Sequence, residues 1–263
     1  MNTVTSKDGT KIAYDKQGSG PAVILIDGAL CYRGFGPMPE LAKLLAPHFT
    51  VYTYDRRGRG ESTNGLPFSV EREVEDLDAL IQAAGNSAYL AGVSSGGALG
   101  LEAAIRLGDK VKKLAIYEAP YNSDVNSKQE WKEYTTQLRK LVAENKRGDA
   151  AALFMTFVGT PAEMVGGMRQ SPMWPMFEAV APTLIYDTTE LGLEDRSVPV
   201  ERAATVKVPV LAMNGGAGFP FMKDTADALA KAIPHAQRRI LEGQRHDVSN
   251  EVLAPVLIEF FKS

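Results

Sequence analysis

With 263 residues, a formal net charge of −3 and one cysteine, Cys31, the chain excludes a disulfide framework, a thiolate metal site and the basic surface of a nucleic-acid or anionic-membrane binder. A folded chain of this length withdraws on the order of 75% of its unfolded surface from water, enough for one substantial core. No apolar run approaches the roughly 20 residues needed to span a bilayer and Met1–Lys7 lacks a leader pattern, so a soluble, cytoplasmic protein is expected.

Thr3–Ser6 and Lys11–Lys16, joined through Asp8-Gly9, predict an antiparallel hairpin at a sheet edge. β-Branched and apolar runs follow at 22–26, 49–54, 88–93, 112–117, 208–213 and 237–241, most of them separated by longer segments with helical periodicity. That alternation predicts a mixed, mostly parallel α/β sheet, because parallel neighbours need a crossover long enough to carry a helix. From about 121 to 200 only helical pattern is present. Ser127 and Glu130 form a capping box, Trp131, Tyr134, Leu138, Leu141 and Val142 share one face, and Gly148 is expected to stop that helix. Thr160-Pro161-Ala162-Glu163 predicts another helix start. The expected organisation is an α/β core domain of residues 1–120 and 201–263, an all-helical insertion over 121–200, and a last helix at 250–262.

Gly92-Val93-Ser94-Ser95-Gly96-Gly97 joins the run ending at Ala91 to the helical composition of Ala98–Leu107. G-x-S-x-G on a strand-to-helix turn exposes the serine hydroxyl, and small residues at 92 and 96 permit the crowding that such a turn imposes. The competing reading is a glycine-rich turn with an incidental serine; a phosphate cradle is disfavoured because no Lys follows the glycines. A serine hydroxyl needs a base. Of three histidines, His48 and His235 stand at the entrances of strands. His246, in Gly243-Gln244-Arg245-His246-Asp247, follows the 237–241 strand, at the end of an open α/β sheet where reactive groups gather. Ser94 is the candidate nucleophile and His246 its candidate base, with turnover expected to fall as the histidine protonates at acidic pH.

Over nearly its whole length the chain resembles the α/β-hydrolases. The resemblance is carried by the Ser94 elbow, the late His246, the helical stretch after 112–117, and Asp55-Arg56-Arg57-Gly58-Arg59-Gly60-Glu61-Ser62, which is similar to the D-x-R-G-x-G-x-S turn of that family. It implies an eight-stranded, mostly parallel sheet flanked by helices, a helical cap, and a triad in the order Ser, acid, His, with the arginine-rich turn as scaffold.

Two departures stand out. In most relatives the acid follows the strand read here as 208–213, yet Gly218 of Asn214-Gly215-Gly216-Ala217-Gly218 occupies its place. Some members carry it one strand earlier, and there the chain has Glu118, the preferred third member, which would orient the imidazole and offset its charge. Asp247, Asp224, Asp187, Asp195 and the uncharged Asn214 are the competitors. The resemblance also assigns the oxyanion-binding amides to Ser95, directly after the nucleophile, and to Ala29 of Ile26-Asp27-Gly28-Ala29-Leu30. Asp27 stands where relatives carry His. A carboxylate there must be turned away, paired with a cation such as Arg33, or protonated by burial; a structural role is preferred to unusual chemistry. Cys31, with no base beside it, is expected to be a buried thiol.

Five of nine methionines (Met155, Met164, Met168, Met173 and Met176) fall in the 121–200 stretch with Phe154, Phe157, Trp174 and Phe177, which suggests an adaptable apolar lid. Asp27, Leu30, Met155, Trp174 and Phe219 are the candidate substrate-lining residues, although packing alone accounts for most such side chains. The expected function is cleavage of a medium-sized, mainly apolar ester, thioester or lactone, with no metal or organic cofactor, a small molecule as partner and a monomer or homodimer as assembly. Cofactor-free lyase or cyclase chemistry on the same fold, or ligand binding with little turnover, are the alternatives. Covalent labelling of Ser94 separates the binder from the enzymes, and product analysis separates the enzymes from one another.

Overall fold

The computed structural model describes residues 2–193 and 195–263; Met1 and Glu194, the latter inside the expected insertion, lie outside them. Strands β1 (Asn2–Thr5) and β2 (Lys11–Gln17) form the expected edge hairpin, followed by β3 (Ala22–Ile26), α1 (Met38–Leu45), β4 (Thr50–Tyr54), α2 (Val70–Ala83), β5 (Ala88–Val93), α3 (Ser95–Leu107) and β6 (Val111–Tyr117). Among the described residues six α-helices come next: α4 (Val125–Ala143), α5 (Arg147–Phe157), α6 (Ala162–Met168), α7 (Trp174–Val180), α8 (Leu184–Leu191) and α9 (Val200–Ala203). The chain then closes through β7 (Val210–Gly215), α10 (Pro220–Ala232), β8 (Ala236–Leu241) and α11 (Asn250–Lys262). The eight strands run in the order β1-β2-β4-β3-β5-β6-β7-β8, with β2 antiparallel to both neighbours and every other pair parallel.

Strand alternation distributes the core over both faces. Val23 and Leu25 of β3 pack toward α1 and α11 with Leu41, Leu257 and Phe261, whereas Ile24 and Ile26 pack toward α2 and α3 with Leu77, Leu80 and Leu99. A central strand buried on both faces must be apolar at every position, and each Ile or Leu buried contributes about 1.5–3 kcal/mol. β7 begins at Val210, two residues later than expected, because Pro209 has no N–H to give a ladder.

Helix α4 also differs from expectation. Asp124, whose carboxylate accepts from Asn126 N at 2.7 Å, caps it three residues ahead of the proposed box, and Ser127 Oγ instead donates to the Asp124 carbonyl. Gly148 does not stop it. The left-handed turn falls on Asn145, at φ 55°, and Gly148 lies inside α5, where a Cβ would run into Glu178 and stand 3.2 Å from Trp174 Nε1. The glycine serves close packing of α5 on α7.

Candidate active site

Five loops at the carboxyl ends of the parallel strands, those after β3, β5, β6, β7 and β8, converge on one cavity of about 590 Å³. Ser94, between β5 and α3, has φ 58° and ψ −130°, a left-handed conformation that costs a non-glycine residue on the order of 1–3 kcal/mol. Its amide donates to the Tyr117 carbonyl at 2.9 Å, so β6 clamps the turn. A Cβ at Gly92 would strike the Gly96 carbonyl, one at Gly96 the Ile26 carbonyl, and one at Gly28 would come within 3.0 Å of Ser94 Cβ. These three glycines let the serine project at the level of the loop after β3.

Glu118 follows β6, also at positive φ (48°), and its side chain is buried. Its Oε2 lies 2.8 Å from His246 Nδ1, and its Oε1 accepts from Gly215 N at 2.8 Å. Opposite a carboxylate oxygen Nδ1 must be the donor, which leaves Nε2 of a neutral ring as the free lone pair. His246 is half-exposed and lines the same cavity as Ser94. Tyr117 Oη donates to the Arg245 carbonyl at 2.5 Å and so fixes the loop one residue before the imidazole. The other acids do not meet the ring: Asp247 and Asp224 are exposed, Asp195 is occupied by Lys128, and Asn214 is held by Arg238.

Gly28, Ala29, Ser94 and Ser95 line the cavity floor. The Ser95 N–H is the first of α3 and has no acceptor within the helix. The loop carrying Ala29 is restrained by the arginine turn: Arg59 Nη1 donates to the carbonyls of Gly28 (2.6 Å) and Cys31 (3.2 Å), and Arg56 Nη1 to that of Asp27 (3.3 Å). Both arginines are buried and reach α8. Asp187 accepts from Arg56 at 2.8 Å, from Arg59 at 2.9 and 3.0 Å, and from Ser95 Oγ at 2.6 Å. Arg56 also pairs with Glu73 (2.7 Å) and with Glu190. Burial, joined by the charges of Glu73 and Asp187, pushes Glu190 well above the usual carboxylate range against the pull of Arg56. Two guanidinium charges are then matched by two carboxylates.

Asp27 lines the cavity beside this cluster and is buried, with Oδ1 lacking any hydrogen-bond partner among the described residues. Arg33 does not pair with it, being taken by Asp15 (2.6 Å), Asp55 (3.1 Å) and Glu61 (2.5 Å). Burial pushes the Asp27 carboxyl up to about 7, against the pull of Arg59 and Arg56. Cys31, half-buried nearby, is pushed up to about 12 by burial and by Asp27, so its thiol stays protonated.

The sequence pattern of the alpha/beta hydrolase family matches residues 20–254. The chain belongs to that family. Among solved structures this α/β-hydrolase is similar to one from Sphaerobacter thermophilus DSM 20745, with 47% identity, a TM-score of 0.87, and coverage of 99% of this chain and 100% of that one. It is 28% identical over 255 residues to "Putative carbamate hydrolase RutD" of Azorhizobium caulinodans, covering 91% of this chain and 92% of that protein. It is 35% identical to "Uncharacterized hydrolase YraK" of Bacillus subtilis over 117 residues, a match that spans 42% of this chain and 41% of that protein.

Of the candidate lining residues in this hydrolase, Asp27 and Phe219 face the cavity. Leu30, Met155 and Trp174 do not; they are buried in the core that joins the helices to the sheet. The methionine-rich lid is likewise corrected. The apolar wall is aromatic, built by Trp131, Tyr134, Phe154, Phe157, Phe219 and Phe221, and the methionines that reach it are Met38 and Met222, outside the 121–200 stretch. Sequence reasoning missed Asp187 as a hub and Arg196 in the cavity wall, since their partners are scattered from residue 56 to 221. Among the described residues no helix is long and apolar enough to cross a membrane, and no group of three His, Cys, Asp or Glu residues is arranged to hold a metal.

Proposed function

We propose that the protein is a serine hydrolase that cleaves a carboxylic ester, thioester or lactone through an acyl-enzyme on Ser94. Its main support is the 2.8 Å contact of Glu118 with His246 Nδ1, which leaves Nε2 free as the base in a ring that lines the same cavity as Ser94. In this mechanism Ser94 Oγ attacks the carbonyl carbon and His246 takes its proton. Glu118 holds the ring and offsets the imidazolium charge, and the amides of Ala29 and Ser95 receive the oxyanion. The tetrahedral intermediate collapses with proton return from His246 to the leaving oxygen or sulfur; water activated by the same histidine then frees the acid. The helical stretch 121–200 acts as the cap, its aromatic side chains forming the apolar wall around the substrate stem. The 28% likeness to a protein named for carbamate cleavage fits the same acyl-transfer chemistry.

The test is labelling with a fluorophosphonate, followed by hydrolysis of p-nitrophenyl esters. Stoichiometric modification of Ser94, absent from Ser94→Ala, is expected, together with a loss of turnover on the order of 10⁴ or more in that variant. A folded wild-type protein that takes up no probe and cleaves no ester overturns the proposal.

A further inference from the structure

Arg196 is a buried cation in the cavity wall for which the described residues provide no counter-ion. It lies between α8 and α9, is 8% exposed, and its guanidinium carbon stands 5.1, 5.2 and 5.6 Å from the ring centroids of Trp131, Phe157 and Phe221. Its Nε is buried without a hydrogen-bond partner. The other buried guanidinium groups are matched differently: Arg56, Arg57 and Arg59 each touch a carboxylate within 3 Å. Burial pulls the Arg196 pKa down against the attraction of Glu130 and Tyr134, yet a guanidinium does not give up its proton in a protein. The aromatic faces hold the plane of the group, and its N–H edge needs an acceptor.

The remaining charged groups of the cavity are accounted for. Asp187 is engaged by two arginines, His246 by Glu118, Asp247 is exposed, and Asp27 sits on the loop after β3 with its carboxyl pushed up to about 7 by burial. Among the described residues a single positive charge in the cavity wall remains without a carboxylate in contact, set among rings that also line the apolar wall. We propose that Arg196 is the specificity residue for a carboxylate on the substrate, carried at the far end of an apolar stem whose reacting carbonyl lies at Ser94. A carboxylate can accept two parallel N–H bonds from the free guanidinium edge, and one negative charge matches this lone cation better than a dianionic phosphate does. The substrate class is thus an ester or lactone of an acid that bears a second, free carboxylate. This inference rests on the serine-hydrolase proposal above for the place of the carbonyl, but not for the anion site itself.

Calorimetric titration with two isosteric ligands, 4-phenylbutyrate and its neutral amide 4-phenylbutyramide, tests it without any turnover. The wild-type protein is expected to bind the acid about tenfold or more tightly than the amide. Arg196→Met should bring the two within about twofold, and Arg196→Lys, which keeps the charge but not the fork, should fall between. Equal binding of acid and amide to the wild type, no detectable binding of the acid at millimolar concentration, or a preference that survives in Arg196→Met overturns the assignment. The wild-type comparison decides the matter even if a variant fails to fold. Failure of Ser94 labelling in the same preparation counts against the nucleophile and leaves the anion site standing.

Discussion

The carboxylate of Glu118 fills the space that a side chain at Gly218 would need: a Cβ built there stands 2.8 Å from Glu118 Oε1. The two positions, at the ends of neighbouring strands β6 and β7, therefore compete for one volume beside the imidazole. An acid in one place requires a glycine-sized residue in the other. Gly218→Asp alone is expected to lower kcat by displacing Glu118. In a Glu118→Ala background the same substitution should recover part of the lost activity, as kcat for a p-nitrophenyl ester will show.

Glu118→Gln keeps the shape but removes the charge and can impose the wrong tautomer on His246, so a fall in kcat on the order of 10⁴ with KM little changed is expected. Asp247→Asn, at an exposed carboxylate beside the same histidine, should leave kcat within a few-fold. Steady-state kinetics on the two variants side by side measures the difference.

Asp27 links stability to pH. A carboxyl raised to about 7 in the folded protein, against its ordinary value near 4, adds stability that is complete below about pH 4 and is lost as pH climbs through about 7. Asp27→Asn abolishes that slope. Urea denaturation at pH 5 and pH 8 should show the wild type losing on the order of 2–4 kcal/mol more than the variant between the two pH values. Near-normal turnover in Asp27→Asn at pH 8 would accord with a structural role for this residue.

Within the buried arginine cluster, Glu73 and Glu190 are expected to respond in opposite ways. Glu73 is the ionised partner of Arg56, and Glu73→Gln leaves a buried cation short of charge at a cost of about 3–5 kcal/mol. Burial drives Glu190 toward its neutral form, and Glu190→Gln, neutral and of the same shape, is expected to cost less than about 1 kcal/mol. Chemical denaturation at pH 7 separates the two.

The elbow, the strands and the mostly parallel character of the sheet were legible because each rests on local rules: small residues where a strand turns sharply into a helix, alternation in edge strands, and continuous apolar runs in central ones; the order of the strands was not, since it depends on long-range pairing. Glu118 was suggested by the family resemblance, some members carrying the acid one strand earlier, and it stood against Asp247, Asp224, Asp187, Asp195 and Asn214 as competitors. Arg196 could not be read at all, since Trp131, Phe157 and Phe221 come to it from three separate helices and nothing in the spacing of their residues signals the meeting. The methionines misled for the opposite reason. Their chemistry suggested an adaptable lid, but Met155 is consumed in packing and Met164 and Met173 point to solvent, leaving the wall to rigid rings.

Asp187 and Glu190 sit on α8, whereas Arg56 and Arg59 sit on the turn after β4. The charges that keep the loop after β3 in shape are thus half supplied by a segment more than 120 residues later in the chain. Grafting the helices of a relative onto this sheet would have to bring Asp187 along, or the recipient would be left with one guanidinium charge unmatched at its centre, since Arg56 keeps Glu73. Exchange of specificity by swapping this segment wholesale is constrained for that reason, and variation has freer ground in α4 to α6, which supply no carboxylate to the knot.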